Sequence, residues 1–110
     1  MYKQLNSNTP LIDASMIYGS DEARARVLRD RASHGKLLLG EDGNLPRNSR
    51  GLPNNGGADR TDLFIAGDIR SNEQAALTAM HLLWTKEHNW WVGCLCTRGP
   101  PEPRLTALTF

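Results

Sequence analysis

The chain has 110 residues, 39% of them hydrophobic and 6% aromatic, and this suits one small domain with a modest core. Thirteen basic and twelve acidic side chains leave a formal net charge of +1. A protein that binds nucleic acid or an anionic membrane is expected to be strongly basic, so this charge argues against both kinds of binding. No apolar run approaches the roughly 20 residues of a membrane span, and polar residues follow Met1 where a signal peptide would be apolar, so the chain as written is expected in the cytosol.

The first part of the sequence predicts an irregular segment followed by a helix. Residues 3–20 are rich in the turn formers Asn, Pro and Gly. Ser20 suits an N-cap, and Asp21 and Glu22 bring negative charge to the first turn. With apolar residues recurring on one face, these signals predict a helix over residues 21–33.

A turn and a long loop are predicted next. Gly35 is placed to end the helix. Residues 37–39 are three leucines, and periodicity leaves open whether they form a short buried strand or a packed extension. Residues 40–62 are rich in Gly, Asn, Pro and Arg, which predicts a surface loop too polar and flexible to bury much. Such long loops are uncommon in compact domains, so a larger scaffold is expected to hold its ends.

A second helix is predicted from near Ser71 to about Glu87. Ser71, with Gln74 three residues later, matches the capping-box pattern. Apolar side chains cover nearly every face of this helix, and helices of that kind lie in the interior of large proteins. This pattern also predicts that more protein surrounds the chain.

The last stretch of the chain predicts neither a disulfide nor a helix. Cys94 and Cys96 are one residue apart, a pattern that lacks the partners of a disulfide framework or a zinc site, so both are predicted to be unpaired thiols. Three prolines lie within residues 100–103, and the tail is predicted to be disordered.

One run of residues carries most of the functional information. It reads Phe-Ile-Ala-Gly-Asp-Ile-Arg-Ser-Asn-Glu-Gln over residues 64–74 and continues with Leu77, Met80-His81 and Glu87-His88-Asn89. This run resembles the distal-side helix of the animal haem peroxidases. The resemblance implies that Arg70 lies over a haem and polarises bound hydrogen peroxide, and that Glu73 is esterified to a haem methyl group.

The spacing of Arg70 and Glu73 gives that resemblance a chemical sense. Residues three apart share one face of a helix and can address the same ligand. The fixed donors of a guanidinium suit the charge that develops on a peroxide oxygen. The alternative for an isolated pair is a surface ion pair worth roughly 0.2 to 0.5 kcal/mol. The order of the whole run from Phe64 to Asn89 favours the catalytic interpretation.

A second match lies near the N-terminus, where residues 9–15 read Thr-Pro-Leu-Ile-Asp-Ala-Ser. This segment resembles the calcium loop beside the distal haem pocket of the same family. The resemblance implies Ca²⁺ ligands from the side chains of Thr9, Asp13 and Ser15 and from the backbone carbonyl of Leu11, which together are a set of hard oxygens. The alternative is a simple turn in which Asp13 bonds the nearby backbone.

Some features of the family pattern are not expected within these 110 residues. The distal histidine, a general base, would precede the region, and the proximal histidine, the iron ligand, would follow it. His34, His81 and His88 lack the context of an iron ligand and are interpreted as structural. Leu63 stands where many vertebrate members have a disulfide cysteine, and Gln74 stands where one member has a methionine linked to a haem vinyl group, so neither link is expected.

The resemblance implies that residues 1–89 are part of an animal haem peroxidase domain, mainly α-helical with long irregular loops. Residues 90–110 are interpreted as a divergent tail. The parent protein would use covalently linked haem b and Ca²⁺ to oxidise small donors with hydrogen peroxide, in the response to oxidative stress, and would be secreted. The chain alone is expected to be inactive, and its expected partner is the remainder of the peroxidase domain.

Two further interpretations stay open. One is a short non-catalytic protein that binds calcium or a partner through the apolar helix and the proline-rich tail. The other is an inert, poorly folded translation product, which an exposed apolar helix and a long loop would favour. The resemblance stops at Asn89, and this predicts that the sequence from Trp90 onward comes from outside the true exon.

Overall fold

Helices account for the regular structure in the part of the chain that the computed structural model describes, residues 8–55 and 60–97. In chain order they are α1 (Ser15–Tyr18), α2 (Glu22–Leu28) and α3 (Ala75–Thr97). These described residues also form two isolated antiparallel bridges, and they form no strand. The predicted fold class, mainly α with long irregular loops, is confirmed for them. Within the same residues, no helix has both the length and the apolar character of a bilayer span.

The first two helices differ from the predicted pattern in their bounds. Helix α1 is a single turn inside the segment that was predicted to be irregular. Helix α2 is capped by Asp21, not by Ser20, because an Asp21 carboxylate oxygen accepts a hydrogen bond from the backbone N–H of Arg24 at 2.8 Å. It ends at Leu28, five residues before the predicted end at Ser33.

Helix α2 ends early because the chain turns back on itself. Arg29 takes an extended conformation and forms an antiparallel bridge with Leu37, while the backbone N–H of Leu38 donates to the carbonyl of Leu28 at 2.7 Å. Gly35, with φ of 78°, lies in the turn between the two arms and does not end the helix directly. Of the two alternatives for the three leucines, the strand is not formed, and Leu37 is buried where it forms the isolated bridge, as a packed extension would be.

The loop from residue 40 is more ordered than its composition predicts. Leu45 and Pro46 are buried, and Asn48 is fully buried with its side-chain amide bonded in both directions to the backbone of Leu52. The backbone of this loop also bonds the backbone of residues 64–74, since the Ile65 N–H donates to the Pro46 carbonyl at 2.8 Å. The prediction that this loop buries little is wrong, because side-chain amides supply the hydrogen bonds that a strand would supply.

The apolar core of the described residues is small and lies beneath α1 and α2. Ile17, Leu28, Leu37 and Ile65 form its buried centre, and Tyr18, Val27 and Leu52 pack against it. Burial of a few such side chains contributes on the order of 10 kcal/mol before the entropy of ordering the chain is subtracted. Hydrogen bonds from buried polar groups therefore carry much of the tertiary structure.

Helix α3 begins later and ends later than predicted. It starts at Ala75 because the preceding residues form turns, and the capping box is absent: Ser71 is fully buried, and its carbonyl accepts from the Thr78 hydroxyl at 2.6 Å. It continues past Glu87 to Thr97. The prediction of a disordered tail is therefore wrong for residues 90–97. Residues 98–110 lie outside the described part of the chain.

The faces of α3 are opposite in polarity to those of an ordinary surface helix. His81 and Thr85 are buried against the rest of the chain. Large apolar side chains lie instead on the outer surface of the helix, namely Met80, Leu83, Trp84, Trp90, Trp91 and Leu95. The sequence predicted a helix that is apolar on nearly every side, and in the structure many of these apolar side chains form one exposed face.

Candidate functional site

The motif run packs its backbone directly against helix α1. Gly67 is buried, and a Cβ atom on it would lie 2.4 Å from the Ser15 carbonyl oxygen and 2.5 Å from that of Met16. Real Cβ atoms essentially never approach that closely, so the position requires glycine. The N-terminal segment and the motif run are consequently held in contact.

Arg70 lies in the turns that precede α3 and not in a helix. The backbone N–H of Ser71 donates to the Asp68 carbonyl at 3.2 Å, and that of Glu73 donates to the Arg70 carbonyl at 2.9 Å. The prediction that Arg70 and Glu73 share a helix face is wrong, because both precede the first residue of α3, Ala75. What brings them near each other is the turn.

Asp68 holds the guanidinium of Arg70. One carboxylate oxygen accepts from Arg70 Nε at 3.1 Å, and the other accepts from Nη2 at 2.7 Å. The Asp68 side chain is 7% exposed and that of Arg70 is 45% exposed, so the pair reaches from the interior to the surface. The hydrogen bond and charge of Asp68 raise the pKa of Arg70, which keeps the guanidinium charged.

The carboxyl group of Asp68 is ionised despite its burial. Burial by itself would raise the pKa of Asp68, but hydrogen bonds from the Arg70 side chain, the Arg70 backbone and Asn8 outweigh it. The pKa is held well below its usual range. The resemblance had not singled out Asp68, although its place two residues before Arg70 in the run was a signal that could have identified it.

Glu73 is exposed and does not pair with Arg70 directly. One of its carboxylate oxygens accepts from the side-chain amide of Asn55 at 2.5 Å. The charge of Glu73 is close enough to contribute to the raised pKa of Arg70. The side chains of Arg70 and Glu73 therefore lie near each other at the surface, and the hydrogen bond from Asn55 engages one of the two Glu73 oxygens.

The predicted calcium loop brings three oxygen-bearing side chains together. The Thr9 hydroxyl donates to an Asp13 carboxylate oxygen at 2.7 Å and lies 3.3 Å from the Ser15 hydroxyl oxygen. The other Asp13 oxygen accepts from the backbone N–H of Ser15 at 3.0 Å. These contacts lower the pKa of Asp13, with the bond from Thr9 as the largest cause. Leu11 lies exposed between them.

The donor set fits a hard cation, but its charge is small. In residues 8–55 and 60–97, no group of three or more His, Cys, Asp or Glu side chains is placed to hold a metal ion. A calcium ion in this loop would therefore depend on one carboxylate, two hydroxyls and the backbone. The amide of Asn8 donates to Asp68 at 2.8 Å and thereby ties this loop to the Arg70 turn.

The histidines of the motif have structural partners. In His88, Nδ1 lies 3.0 Å from the Tyr18 hydroxyl, and Nε2 lies 2.8 Å from the Gly35 carbonyl. Because a carbonyl only accepts, Nε2 donates to Gly35. His81 is 2% exposed, with Nδ1 against the Leu77 carbonyl at 2.8 Å. Neither ring presents the exposed nitrogen of an iron ligand.

The cysteines at the end of α3 are free thiols in this structure. Cys94 is partly buried and Cys96 is exposed, with no disulfide at either position. This agrees with the prediction of two unpaired thiols. Residues i and i+2 of a helix point in different directions, so the two sulfurs are also poorly placed to pair with each other.

Comparison with known proteins decides the family. The family model for animal haem peroxidase matches residues 1–101. Among curated relatives, human peroxidasin homolog is 43% identical over 98 residues, covering 79% of this chain and 6% of that protein. Human myeloperoxidase is 39% identical over 99 residues, covering 78% of this chain and 13% of that protein. Rat thyroid peroxidase is 36% identical over 97 residues, covering 79% of this chain and 11% of that protein.

The chain belongs to the animal haem peroxidase family. The predicted resemblance is thereby confirmed, and haem is the cofactor that membership of this family implies. The match extends past Asn89, where the resemblance was expected to stop. The chain spans between 6% and 13% of the length of the three relatives named above.

Proposed function

We propose that this chain forms part of the haem-binding wall of a peroxidase that uses hydrogen peroxide to oxidise small donors, with Arg70 and Glu73 facing the haem. The observation that carries the proposal is the surface turn before α3. There a guanidinium held charged by Asp68 lies beside a partly free carboxylate.

Arg70 has the chemistry that peroxide activation requires. Its guanidinium offers N–H donors in a fixed plane, and these stabilise negative charge that develops as an O–O bond breaks. Bound haem supplies the redox chemistry with hydrogen peroxide. Arg70 supplies the electrostatic stabilisation of the peroxide oxygen, because its guanidinium is charged and partly exposed and its two hydrogen bonds to Asp68 fix its orientation.

Glu73 is proposed to tether the haem. Its carboxylate is exposed, and the hydrogen bond from Asn55 uses one of its two oxygens, so the other oxygen would be available for an ester link to haem. The Asn55 amide would fix the direction of the side chain before the link forms. Residues 9–15 are proposed to hold Ca²⁺ through Thr9, Asp13, Ser15 and the Leu11 carbonyl, since their side-chain oxygens already converge.

The remainder of a peroxidase domain is the proposed partner of α3. Its exposed face carries three tryptophans, Trp84, Trp90 and Trp91, which soluble proteins rarely leave uncovered together. Coverage of only 6% to 13% of the three named relatives fits a partner domain of considerable size. We propose that the 110 residues alone do not turn over peroxide, since both ring nitrogens of His88 are hydrogen-bonded and His81 is buried. We also propose that the complete protein is secreted.

Grafting tests the proposal. Residues 1–101 would replace the matching segment of human peroxidasin homolog, and peroxide-dependent oxidation of a phenolic donor would be measured. Retained turnover is expected. Arg70→Lys keeps the charge but loses the planar fork, and a fall in kcat of about 10²-fold or more is expected from the loss of oriented donors. Arg26→Lys, at an exposed site on α2, is the matched control. An active graft that tolerates Arg70→Lys would contradict the role of Arg70.

Calcium is tested on the full chain by calorimetric titration. Binding of Ca²⁺ is expected to vanish in Asp13→Asn, and Asp42→Asn, in another exposed turn, should leave it unchanged. Equal heats for Asp13→Asn and the unaltered chain would refute the assignment of calcium to this loop. A chain that binds Ca²⁺ without supporting turnover in the graft would favour the alternative of a non-catalytic calcium- or partner-binding protein.

A further inference from the structure

Asp68 is held in place independently of Arg70. Its carboxylate accepts from the Asn8 amide at 2.8 Å, and the adjacent Gly67 is locked against α1. One residue further back, the Ala66 carbonyl accepts from buried Arg24 at 2.9 Å. Arg24 also donates to the carbonyl of Pro53, so the segment before Asp68 is anchored to α2 and to the loop. The position of the carboxylate is therefore set by the fold.

The contact between Asp68 and Arg70 leaves one edge of the guanidinium open. Asp68 takes Nε and Nη2, and within residues 8–55 and 60–97 nothing accepts a hydrogen bond from Nη1. Side-on pairing of this kind fixes the plane of the guanidinium as well as its distance. The other nearby carboxylate, Glu73, is engaged by Asn55 and forms no ion pair with Arg70.

We propose that Asp68 is the positioning residue for Arg70, gripping Nε and Nη2 so that the Nη1 edge faces the peroxide. This inference rests on the proposed function for its catalytic meaning, whereas the pairing itself is independent of haem. Asp68 touches no substrate and acts only through Arg70. Asn8 and the Arg24–Ala66 contact act in turn on Asp68.

The pairing is tested by NMR of the full chain labelled with ¹⁵N arginine. The Arg70 Nε–H proton is expected to exchange with solvent at least tenfold more slowly than that of Arg26, whose contact with Glu22 is fully at the surface. In Asp68→Asn the difference should disappear. Asp62→Asn is the matched control, because Asp62 also grips an arginine two residues away, Arg60, but at an exposed site. It should leave Arg70 unchanged.

The same chain within the graft tests the catalytic meaning. Asp68→Asn is expected to lower kcat about tenfold while the Soret band, which reports bound haem, stays unchanged. An unaltered chain in which the Arg70 and Arg26 protons exchange equally fast overturns the proposal, even if Asp68→Asn does not fold. An active graft with the same kcat in Asp68→Asn also overturns it. An inactive graft with a protected Arg70 would instead remove the proposed function and leave the pairing standing.

Discussion

Gly67 shows how tightly one residue couples the two parts of the site. A methyl group there would overlap backbone atoms of α1 and the nitrogen of Gly19, just after α1, at 2.6 Å. Backbone cannot move aside as a flexible side chain can. We expect Gly67→Ala to lower the free energy of unfolding by about 3 kcal/mol, at the upper end of the range for overpacking. Urea unfolding followed by circular dichroism measures it.

A second glycine gives the control for this prediction. Gly93 lies in α3 with open space around its Cα, so an added Cβ meets nothing within 4 Å. Gly93→Ala should stabilise the chain by about 0.5 to 1 kcal/mol through helix propensity. Equal effects of the two alanines would show that α1 and the motif run are not in contact.

At the scale of single residues, the sequence predicted which side chains matter better than what they contact. Thr9, Asp13 and Ser15 lie together, and the bond from the Ser15 backbone to Asp13 is the kind that the alternative of a simple turn predicted. The partner of Arg70 was not predictable from helix periodicity, because that reasoning assumed a helix where the chain forms turns. The contacts of Asn8 with Asp68, and of Arg24 with Ala66, span 60 and 42 residues, and no local pattern encodes such distances.

Helix α3 is attached to the rest of the chain by polar side chains. Asn89 acts as a short piece of strand: its side-chain oxygen accepts from the Leu37 N–H at 2.7 Å, and its amide donates to the Leu37 carbonyl at 2.9 Å. His88 bonds Tyr18 and Gly35 in the same region. His88 and Asn89 of the motif run therefore attach α3 to the other elements.

Removing the hydrogen bonds of Asn89 should weaken the contact between α3 and the segment around Leu37. We expect Asn89→Ala to cost about 1 to 3 kcal/mol, since two hydrogen bonds are lost and the Leu37 backbone is left unpaired. Hydrogen exchange at the Leu37 amide should accelerate accordingly. Asn44→Ala is the control, because its side chain bonds only the neighbouring Asp42 in an exposed turn. An unchanged exchange rate at Leu37 in Asn89→Ala would show that α3 is held by other contacts.

Element boundaries were the least predictable part of the fold. Helix α2 lost its last predicted turn to the pairing of Arg29 with Leu37, a tertiary contact that overrides local propensity. The start of α3 moved because Ser71 is buried as a turn residue. The existence of both longer helices was predicted correctly from apolar patterning, which is a local signal, whereas the predicted cap residue was wrong for α2 and the predicted capping box is absent before α3.

The stability of the whole molecule should depend on pH through Asp68. Its pKa is lower in the folded chain than in the unfolded chain, so the folded state releases this proton more readily. The stability that the charged carboxylate provides is complete above the unfolded value of about 3.9 and is lost as the pH falls below it. We expect Asp68→Asn to be less stable at pH 7 and to show a shallower loss of stability below pH 4 (about the unfolded value).

Equilibrium unfolding in urea at several pH values checks this prediction. Glu41→Gln removes an exposed carboxyl in the loop and serves as the control. If Asp68→Asn and the unaltered chain lose stability in parallel as the pH falls, Asp68 does not carry the acid sensitivity of the fold.

At the scale of the molecule, the sequence predicted that more protein surrounds the chain. The apolar helix was expected to be buried in a larger protein, and its tryptophans do lie exposed in the described residues. The polar attachment face of α3 was not predicted, because hydropathy alone does not show which side of a helix meets its own chain.

Covalent retention of haem shows whether the turn before α3 faces haem. In the peroxidasin graft, haem that survives acid–acetone extraction would be measured by mass spectrometry for the unaltered segment, for Glu73→Gln and for the exposed control Glu41→Gln. We expect a haem bond at Glu73 that Glu73→Gln removes and Glu41→Gln keeps. A correctly folded graft that binds haem equally in all three, with no bond at Glu73, would contradict it.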